Sequence, residues 1–360
     1  RYCATPSPDG VRFEKSPSGV VVTLDRPKQL NALSLPMIRA LTPKYKEWEA
    51  DRDVSCIVLK GAGGKAFCAG GDIVAVRQSK LDGTSLAQDF FSEEYKLNYL
   101  IGTLKTPHVA IMKGFTMGGG VGLSVHGKYR VATESTVFAM PETQIGFFCD
   151  VGGSHFLSRL SCGLYLALTG ARLTGPQAVD VGVCTHFVPE DKLQELEDQL
   201  VQVKSQDMVK DVLDKFHSSE AVKESKVPTE EITKHFGDVS SVEEIYKSLE
   251  STDSDFAKGA LKLLRRMSPT SLKVVMEQLK RGKNLSLKET LIMEHRMAQT
   301  FLAENDFFEG VRALLVDKDR KPQWKPPQIE QVTDAIVDKY FQPVSADKEL
   351  VLVDHARSKL

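Results

Sequence analysis

Short apolar segments alternate with helical segments along the first half of the chain. Residues 20–24, 56–59 and 109–112 are apolar runs of strand length, and segments with helical spacing of their apolar residues lie between and after them. Strands that are joined through helices pair in parallel, because a parallel neighbour needs a long crossover connection. This alternation predicts an α/β core in which helices connect parallel strands.

The pattern changes near Pro189, beyond which the chain is charged and its apolar residues keep helical spacing. With 360 residues, of which 41% are hydrophobic, the chain can bury a large core. We therefore divide it into a disordered segment (residues 1–10), a core (residues 11–200), a helical C-terminal region (residues 201–330) and a tail (residues 331–360).

Charge and composition exclude several classes of protein. The chain has 47 basic and 48 acidic residues, which argues against a nucleic-acid partner and a polybasic membrane surface. The six cysteines form no CxxC pair and the eight histidines show no metal-ligand spacing, so we expect reduced thiols and no metal site. No apolar run reaches the roughly 18 to 20 residues of a membrane-spanning helix, so we expect no membrane partner.

Two carboxylates follow an apolar strand in the middle of the chain. Residues 137–140 are apolar and end at Pro141, so Glu142 lies at the end of a strand and Asp150 follows in a glycine-rich segment. A poorly solvated carboxylate has a raised pKa and can act as a base or a nucleophile. The alternative is that Glu142 caps a helix and Asp150 makes a turn.

Two glycine clusters also follow predicted strands: Ala69 to Asp72 (AGGD) and Met117 to Gly120 (MGGG). Backbone N–H groups at such positions can bind a carbonyl oxygen that becomes negative during a reaction. The alternative is that these glycines only permit tight turns and close packing. Other motifs are excluded, since residues 61–66 lack the spacing of a phosphate-binding loop, residues 118–122 lack the dinucleotide pattern and Ser124 lacks a nucleophile elbow.

Four motifs in order resemble the enoyl-CoA hydratase/isomerase (crotonase) superfamily. They are residues 24–33 (LDRPKQLNAL), 65–72 (KAFCAGGD), 117–120 (MGGG) and 140–143 (MPET). The resemblance implies a crotonase-like spiral of repeated β-β-α units and an acyl-CoA substrate. It also implies an oxyanion hole made by the N–H groups of Ala69 and Gly119, with Gly70, Gly71 and Asp72 at the substrate.

Within that superfamily the chain resembles the 3-hydroxyisobutyryl-CoA hydrolase family, which acts in valine catabolism. The residues that carry this resemblance are 116–133, 150–153, 267–273 and 309–313. It implies that Glu142 attacks the thioester or activates water, that Asp150 is its partner, and that Glu94 meets the 3-hydroxyl group of the substrate. 3-Hydroxypropionyl-CoA is a second expected substrate.

The chain departs from two family patterns. Hydratases of the superfamily carry a glutamate where this chain has Gly122, which argues against the alternative function of an enoyl-CoA hydratase or isomerase. The hydrolase family has proline where this chain has Cys149, and we expect this change to retune activity. A non-catalytic acyl-CoA-binding protein is a third hypothesis, and the carboxylates Glu94, Glu142 and Asp150 argue against it.

The resemblance also implies expectations about cofactors, assembly and location. No cofactor is expected, because CoA is part of the substrate, and relatives suggest a homo-oligomer. The family's role in valine breakdown predicts the mitochondrial matrix. The final residues Ser358, Lys359 and Leu360 match a peroxisomal address, which makes the peroxisome the alternative.

Overall fold

The protein is described by a computed structural model that covers residues 9–354. Most of the N-terminal segment predicted to be disordered, and the residues Ser358, Lys359 and Leu360, lie outside the described residues. Within residues 9–354, two sheets and a series of helices form the predicted α/β core.

Ten strands in residues 9–354 form two sheets, and they include the apolar runs that the sequence indicates. The strands are β1 (Val11–Lys15), β2 (Gly19–Leu24), β3 (Cys56–Gly61), β4 (Ala66–Ala69), β5 (His108–Ile111), β6 (Phe115–Met117), β7 (Tyr129–Ala132), β8 (Val137–Ala139), β9 (Leu173–Thr174) and β10 (His186–Phe187). The larger sheet has the order β1-β2-β3-β5-β7-β10, in which only the β1–β2 hairpin is antiparallel. β2 is buried along its whole length because helices and loops cover both faces.

A second sheet has the order β4-β6-β8-β9, and its first three strands are parallel. Successive strand pairs, such as β3 with β4 and β5 with β6, place one strand in each sheet before the chain enters a helix. In the second sheet Ala69 is level with Met117, and Met117 is level with Ala139. The segments that follow these three residues therefore leave the sheet side by side.

The α-helices of residues 9–354 lie between the strands and form the C-terminal half. They are α1 (Leu35–Ala50), α2 (Ile73–Leu81), α3 (Leu86–Thr103), α4 (Gly119–Gly122), α5 (Gly153–Leu157), α6 (Gly163–Thr169), α7 (Gly175–Asp180), α8 (Leu193–Leu200), α9 (Met208–Phe216), α10 (Ser219–Lys223), α11 (Thr229–Phe236), α12 (Val242–Glu250), α13 (Asp255–Leu264), α14 (Pro269–Gly282), α15 (Leu287–Phe301), α16 (Asn305–Val311) and α17 (Asp334–Lys339). No helix of residues 9–354 has the length and apolar character that crossing a membrane requires.

The helical C-terminal half packs back onto the core. Helix α15 contacts α3, helix α14 contacts α5 and α6, and α16 contacts the turn that carries Glu142. The stretch predicted as a tail contains α17, and Val337 and Tyr340 there are buried in the main core. The C-terminal half therefore supports the segments that follow the second sheet.

Candidate active site

One cavity of about 240 Å³ opens where β4, β6 and β8 end. The predicted carboxylates Glu94, Glu142 and Asp150 all line it, and so do Gly70 and Gly71. The remaining lining residues are mostly apolar: Ala69, Ile73, Phe90, Phe91, Met117, Gly118, Gly119, Pro141, Gln144, Ile145, Phe147, Leu314 and Leu315. The structure thus brings together residues from positions 69 to 315 around a small apolar space.

Glu142 begins a short 3₁₀ turn, Glu142–Ile145, directly after β8 and Pro141. Its exposed fraction is only 6%, and its Oε1 lies 2.9 Å from the position that a Cβ on Gly118 would occupy. A side chain on Gly118 would displace the carboxylate. Glycine at this position therefore lets Glu142 reach the end of β6.

Asp150 and Glu94 complete a group of three buried carboxyl groups. Asp150 accepts a hydrogen bond from the Tyr95 hydroxyl at 3.0 Å. Glu94 is 1% exposed on α3, and its Oε1 lies 2.7 Å from the position of a Cβ on Gly119. No hydrogen-bond partner within residues 9–354 reaches Oε1 of Glu94 or Oε2 of Glu142. These oxygens are available to a substrate.

Burial dominates the proton affinity of this group. It raises the pKa of Asp150 to about 7, although the Tyr95 hydroxyl acts in the opposite direction. Burial, and then the negative charge of Asp150, raise the pKa of Glu142 well above its usual range. Glu94 has a raised pKa for the same two reasons and also because of Glu142. All three carboxyl groups therefore keep their protons to a higher pH than exposed carboxyl groups do.

The prediction that Ala69 supplies an oxyanion donor is wrong. The N–H of Ala69 donates to the carbonyl oxygen of Leu30 at 3.1 Å and is already paired. Gly70 has a φ of 112°, which turns the chain so that the nitrogen of Gly71 lies 3.2 Å from a Cβ position on Gly119. In residues 9–354 the N–H of Gly71 has no backbone or side-chain acceptor. Gly71 and Gly119 are the adjacent donors.

Asp72 does not line the cavity, contrary to its predicted contact with substrate. Its carboxylate caps α2 by accepting from the N–H of Ala75, and it pairs with the Arg26 guanidinium at 2.9 Å. Gly70 and Gly71 line the cavity, whereas the side chain of Asp72 contacts Arg26. Asp72 therefore stabilises the loop that carries Gly70 and Gly71.

Gly122 has no room for a side chain. A Cβ there would lie 2.6 Å from the Val151 Cβ and 2.7 Å from Nδ2 of Asn98. The space is filled because Asp150 and Val151 are folded against α4. A glutamate at this position would need the loop of Asp150 to move.

Cys149 directly precedes Asp150 in the chain and is fully buried. Its Sγ lies 3.6 Å from the carbonyl oxygen of Ala167, and burial followed by the charge of Glu142 raises the pKa of its thiol. The thiol is also a hydrogen-bond donor that acts against the raised pKa of Glu142. This contact gives a physical basis for the expected effect of Cys149 on activity.

Four residues were missed or misassigned from the sequence. Gly71 was named only as a substrate contact, and Tyr95 was not assigned a role. Leu314 and Leu315 reach the cavity from a π-helical turn, Arg312–Val316, directly after a motif that the sequence analysis noted at residues 309–313. Because Leu314 and Leu315 directly follow that motif, the motif could have indicated them in the sequence. The π-helical turn is a second indication, since such turns are frequent at functional sites.

Comparison with known proteins identifies the family. A family model described as enoyl-CoA hydratase/isomerase matches residues 20–341, which is most of the chain. The chain belongs to the enoyl-CoA hydratase/isomerase family. The superfamily resemblance and the α/β crotonase-like fold with its helical C-terminal region are confirmed.

Relatives in the enoyl-CoA hydratase/isomerase family cover nearly the whole chain. A Xenopus laevis protein named 3-hydroxyisobutyryl-CoA hydrolase, mitochondrial, is 51% identical over 340 residues, covering 92% of this chain and 88% of the relative. A Dictyostelium discoideum protein of the same name is 49% identical over 364 residues, covering 96% of this chain and 94% of the relative. A crystal structure of an enoyl-CoA hydratase from Rhodobacter sphaeroides has a TM-score of 0.86 at 34% identity, covering 95% of this chain and all of that chain.

Within residues 9–354, no group of three or more histidine, cysteine, aspartate or glutamate side chains has the arrangement of a metal site. The five cysteines in that part of the chain are all free thiols.

The filled space beside Gly122 generates a testable prediction. We expect Gly122→Glu to lower the melting temperature by several degrees, because its side chain overlaps Val151 and overpacking costs about 1–3 kcal/mol. The variant should gain no hydration of crotonyl-CoA. Gly259→Glu is the matched control, since nothing lies within 4 Å of a Cβ there. Hydration activity in a Gly122→Glu protein of unchanged stability would contradict the argument.

A second prediction concerns stability and pH. The pKa of Asp150 is about 7 in the folded protein and 3.8 ordinarily. As the pH rises through that interval, Asp150 ionises in the unfolded protein before it ionises in the folded one, so the free energy of unfolding falls. Asp150→Asn removes this effect and should raise the melting temperature by on the order of 5 °C at pH 8, with the gain shrinking towards pH 4. Thermal unfolding from pH 4 to pH 8 measures it.

The control for that experiment is Asp53→Asn, because Asp53 is exposed on the surface. This control should unfold like the parent protein at every pH. A gain for Asp150→Asn that is the same at pH 4 and pH 8 would show that ionisation of Asp150 is not its cause.

Proposed function

We propose that this protein hydrolyses the thioester of 3-hydroxyisobutyryl-CoA to 3-hydroxyisobutyrate and CoA, in the valine catabolism of mitochondria. The relatives named for that activity, which are 45–51% identical over about nine tenths of the chain, support the substrate, and their names support the mitochondrial location. The observation that carries the reaction type is the filled space at Gly122. A carboxylate cannot occupy that place, and Asp150 lies in the adjoining loop instead.

The geometry supports a defined position for the thioester. Its carbonyl oxygen would accept hydrogen bonds from the N–H groups of Gly71 and Gly119, which stabilise the oxygen as it becomes negative. The carbonyl carbon then lies beside Glu142, whose Oε2 has no partner within residues 9–354. Loss of one such donor typically costs about 3 kcal/mol of transition-state stabilisation.

Two routes use the same groups. In one, ionised Glu142 attacks the carbonyl carbon, the CoA thiolate leaves, and water hydrolyses the resulting anhydride. In the other, Glu142 takes a proton from water as the water attacks the carbonyl carbon, and the C–S bond then breaks so that the CoA thiolate leaves. In both routes Asp150, held by Tyr95, exchanges a proton near neutral pH, as its pKa of about 7 allows.

The cavity suits a short, branched acyl group that carries a hydroxyl. Phe90, Phe91 and Phe147 provide apolar walls, and the volume of about 240 Å³ leaves little room for a long chain. Glu94 offers a buried oxygen without a protein partner, which could bind the 3-hydroxyl group. The smaller substrate 3-hydroxypropionyl-CoA would fit the same space.

The alternative functions have weaker support. A hydratase needs carboxylates at both reacting carbons, and the position that hydratases of the superfamily use for one of them is Gly122 here. A purely binding protein gains nothing from three buried carboxyl groups, which destabilise a fold. A homo-oligomer and the absence of a cofactor remain predictions.

The first experiment compares two reactions of the purified protein. We expect thiol release from 3-hydroxyisobutyryl-CoA without hydration of crotonyl-CoA. Glu142→Gln should lower kcat for thiol release by about 10³-fold, because it removes the attacking or proton-accepting group, and should leave acyl-CoA binding in place. Glu93→Gln is the control, since Glu93 pairs with Arg39 on the surface.

Either of two results would reject the proposal. Hydration without thiol release would favour the hydratase alternative. Unchanged thiol release in Glu142→Gln would remove Glu142 from the reaction and leave the cavity without its assigned nucleophile or base.

A further prediction tests the role of Glu94. Glu94→Ala should lower kcat/KM for 3-hydroxyisobutyryl-CoA about tenfold relative to isobutyryl-CoA, because one hydrogen bond to the 3-hydroxyl is lost. Thiol release from the two substrates, measured with Glu93→Gln alongside, gives the ratio. An equal loss on both substrates would assign Glu94 to the chemistry or to folding and not to the hydroxyl group.

A further inference from the structure

The loop that carries Asp150 has an unfavourable backbone conformation. Val151 has a φ of 53°, in the left-handed region that β-branched residues rarely adopt, and Gly152 follows with a φ of 82°. Such a conformation costs on the order of 1–3 kcal/mol and persists only when surrounding groups hold it. The residues that hold this loop therefore decide where the carboxylate of Asp150 lies.

Glu294 accepts three hydrogen bonds from the residues that follow Asp150, more than the other side chains that bond this loop. It lies on α15 in the helical C-terminal half and is completely buried. Its Oε2 accepts from the N–H of Gly152 at 2.6 Å, and its Oε1 accepts from the N–H and Oγ of Ser154 at 2.9 and 2.6 Å. All three donors belong to the four residues after Asp150.

Two further side chains bond the same loop from other directions. Gln278 donates to the carbonyl oxygen of Cys149 at 2.6 Å and to the Oγ of Ser154 at 2.7 Å. The ring Nε2 of His126 lies 2.6 Å from the carbonyl oxygen of Val151. The backbone is therefore fixed on both sides of Asp150, and Glu294 holds the side towards α5.

Packing alone does not explain a carboxylate at position 294. Among residues 9–354, no lysine, arginine or histidine forms a salt bridge with it, and burial raises its pKa to about 8. The nearby charge of Asp150 raises that pKa further. A buried group of this kind is costly unless its hydrogen bonds are needed, whereas an apolar residue could fill the same volume.

We propose that Glu294 is a positioning residue, which fixes the Asp150 carboxylate at Tyr95 and at the cavity by binding the N–H groups of Gly152 and Ser154. This inference rests on the proposed function, because it assigns Asp150 to the thioesterase site. Glu294 acts through the backbone and does not touch the substrate. This role connects helix α15 of the C-terminal half to the site, although the reacting groups of the site all lie before residue 151.

The first test does not depend on activity. Hydrogen exchange of the full-length protein, followed by mass spectrometry, is compared for the parent protein, Glu294→Gln and Glu289→Gln. Exchange in residues 151–156 should rise at least about tenfold in Glu294→Gln, because an amide group cannot accept from all three donors. Glu289 is an exposed residue of the same helix, and its variant should exchange normally. Unchanged exchange in Glu294→Gln would overturn the proposal.

The second test asks whether the effect passes through Asp150. We expect Glu294→Gln to lower kcat for thiol release at least about tenfold with KM changed less than about twofold. In an Asp150→Asn background, measured with enzyme in excess, the same substitution should change the rate less than about twofold. Equal losses in both backgrounds would mean a general structural effect and would contradict a positioning role.

Two controls keep the outcomes separate. If Glu294→Gln does not fold, Ser154→Ala is the second variant. It removes the Oγ that donates to Glu294 and accepts from Gln278, and it leaves the two N–H donors in place. Its effects on hydrogen exchange and on kcat should have the same direction as those expected for Glu294→Gln and be smaller. If the parent protein releases no thiol, the proposed function fails, while hydrogen exchange still decides whether Glu294 holds the loop.

Discussion

The parallel register of β4, β6 and β8 is the constraint on which the site depends. Because Ala69, Met117 and Ala139 lie level in one sheet, the chain segments that follow them must emerge at the same edge. Those segments are two glycine loops and the turn of Glu142. The donors at Gly71 and Gly119 and the carboxylate of Glu142 thus become neighbours, although about 70 residues separate the first from the last.

The second organising feature is the burial of like charges. Glu94, Glu142 and Asp150 share one cavity, and burial raises the pKa of all three. The charge of Asp150 further raises the pKa values of Glu94 and Glu142, and the charge of Glu142 further raises that of Glu94. Such an arrangement opposes folding, so the rest of the protein must supply the stability that it removes. The large core under the two sheets and the helices of the C-terminal half do so, and Glu294 links the two by bonding the Asp150 loop.

Much of the fold followed from local patterns. Apolar runs of strand length indicated several strands of the parallel sheets. The segment after one of these runs pointed to Glu142 and Asp150, and the family resemblance pointed to Gly119; all three line the cavity. Ala69 and Asp72 were misassigned, because a one-residue or two-residue shift along a turn changes which group faces the cavity. The turn at Gly70 decides that shift, and a left-handed φ is permitted by glycine but not required by it.

The sequence by itself determined the α/β class, the family motifs and the residue types available for thioester chemistry. These are encoded locally, in hydrophobic periodicity and in short segments of fixed composition. Only the tertiary structure decided that Gly71 is the donor beside Gly119, that Val151 fills the space at Gly122 and that Glu294 reaches Asp150's loop. Each of these depends on atoms from distant segments meeting within about 3 Å, and no local pattern specifies such an approach.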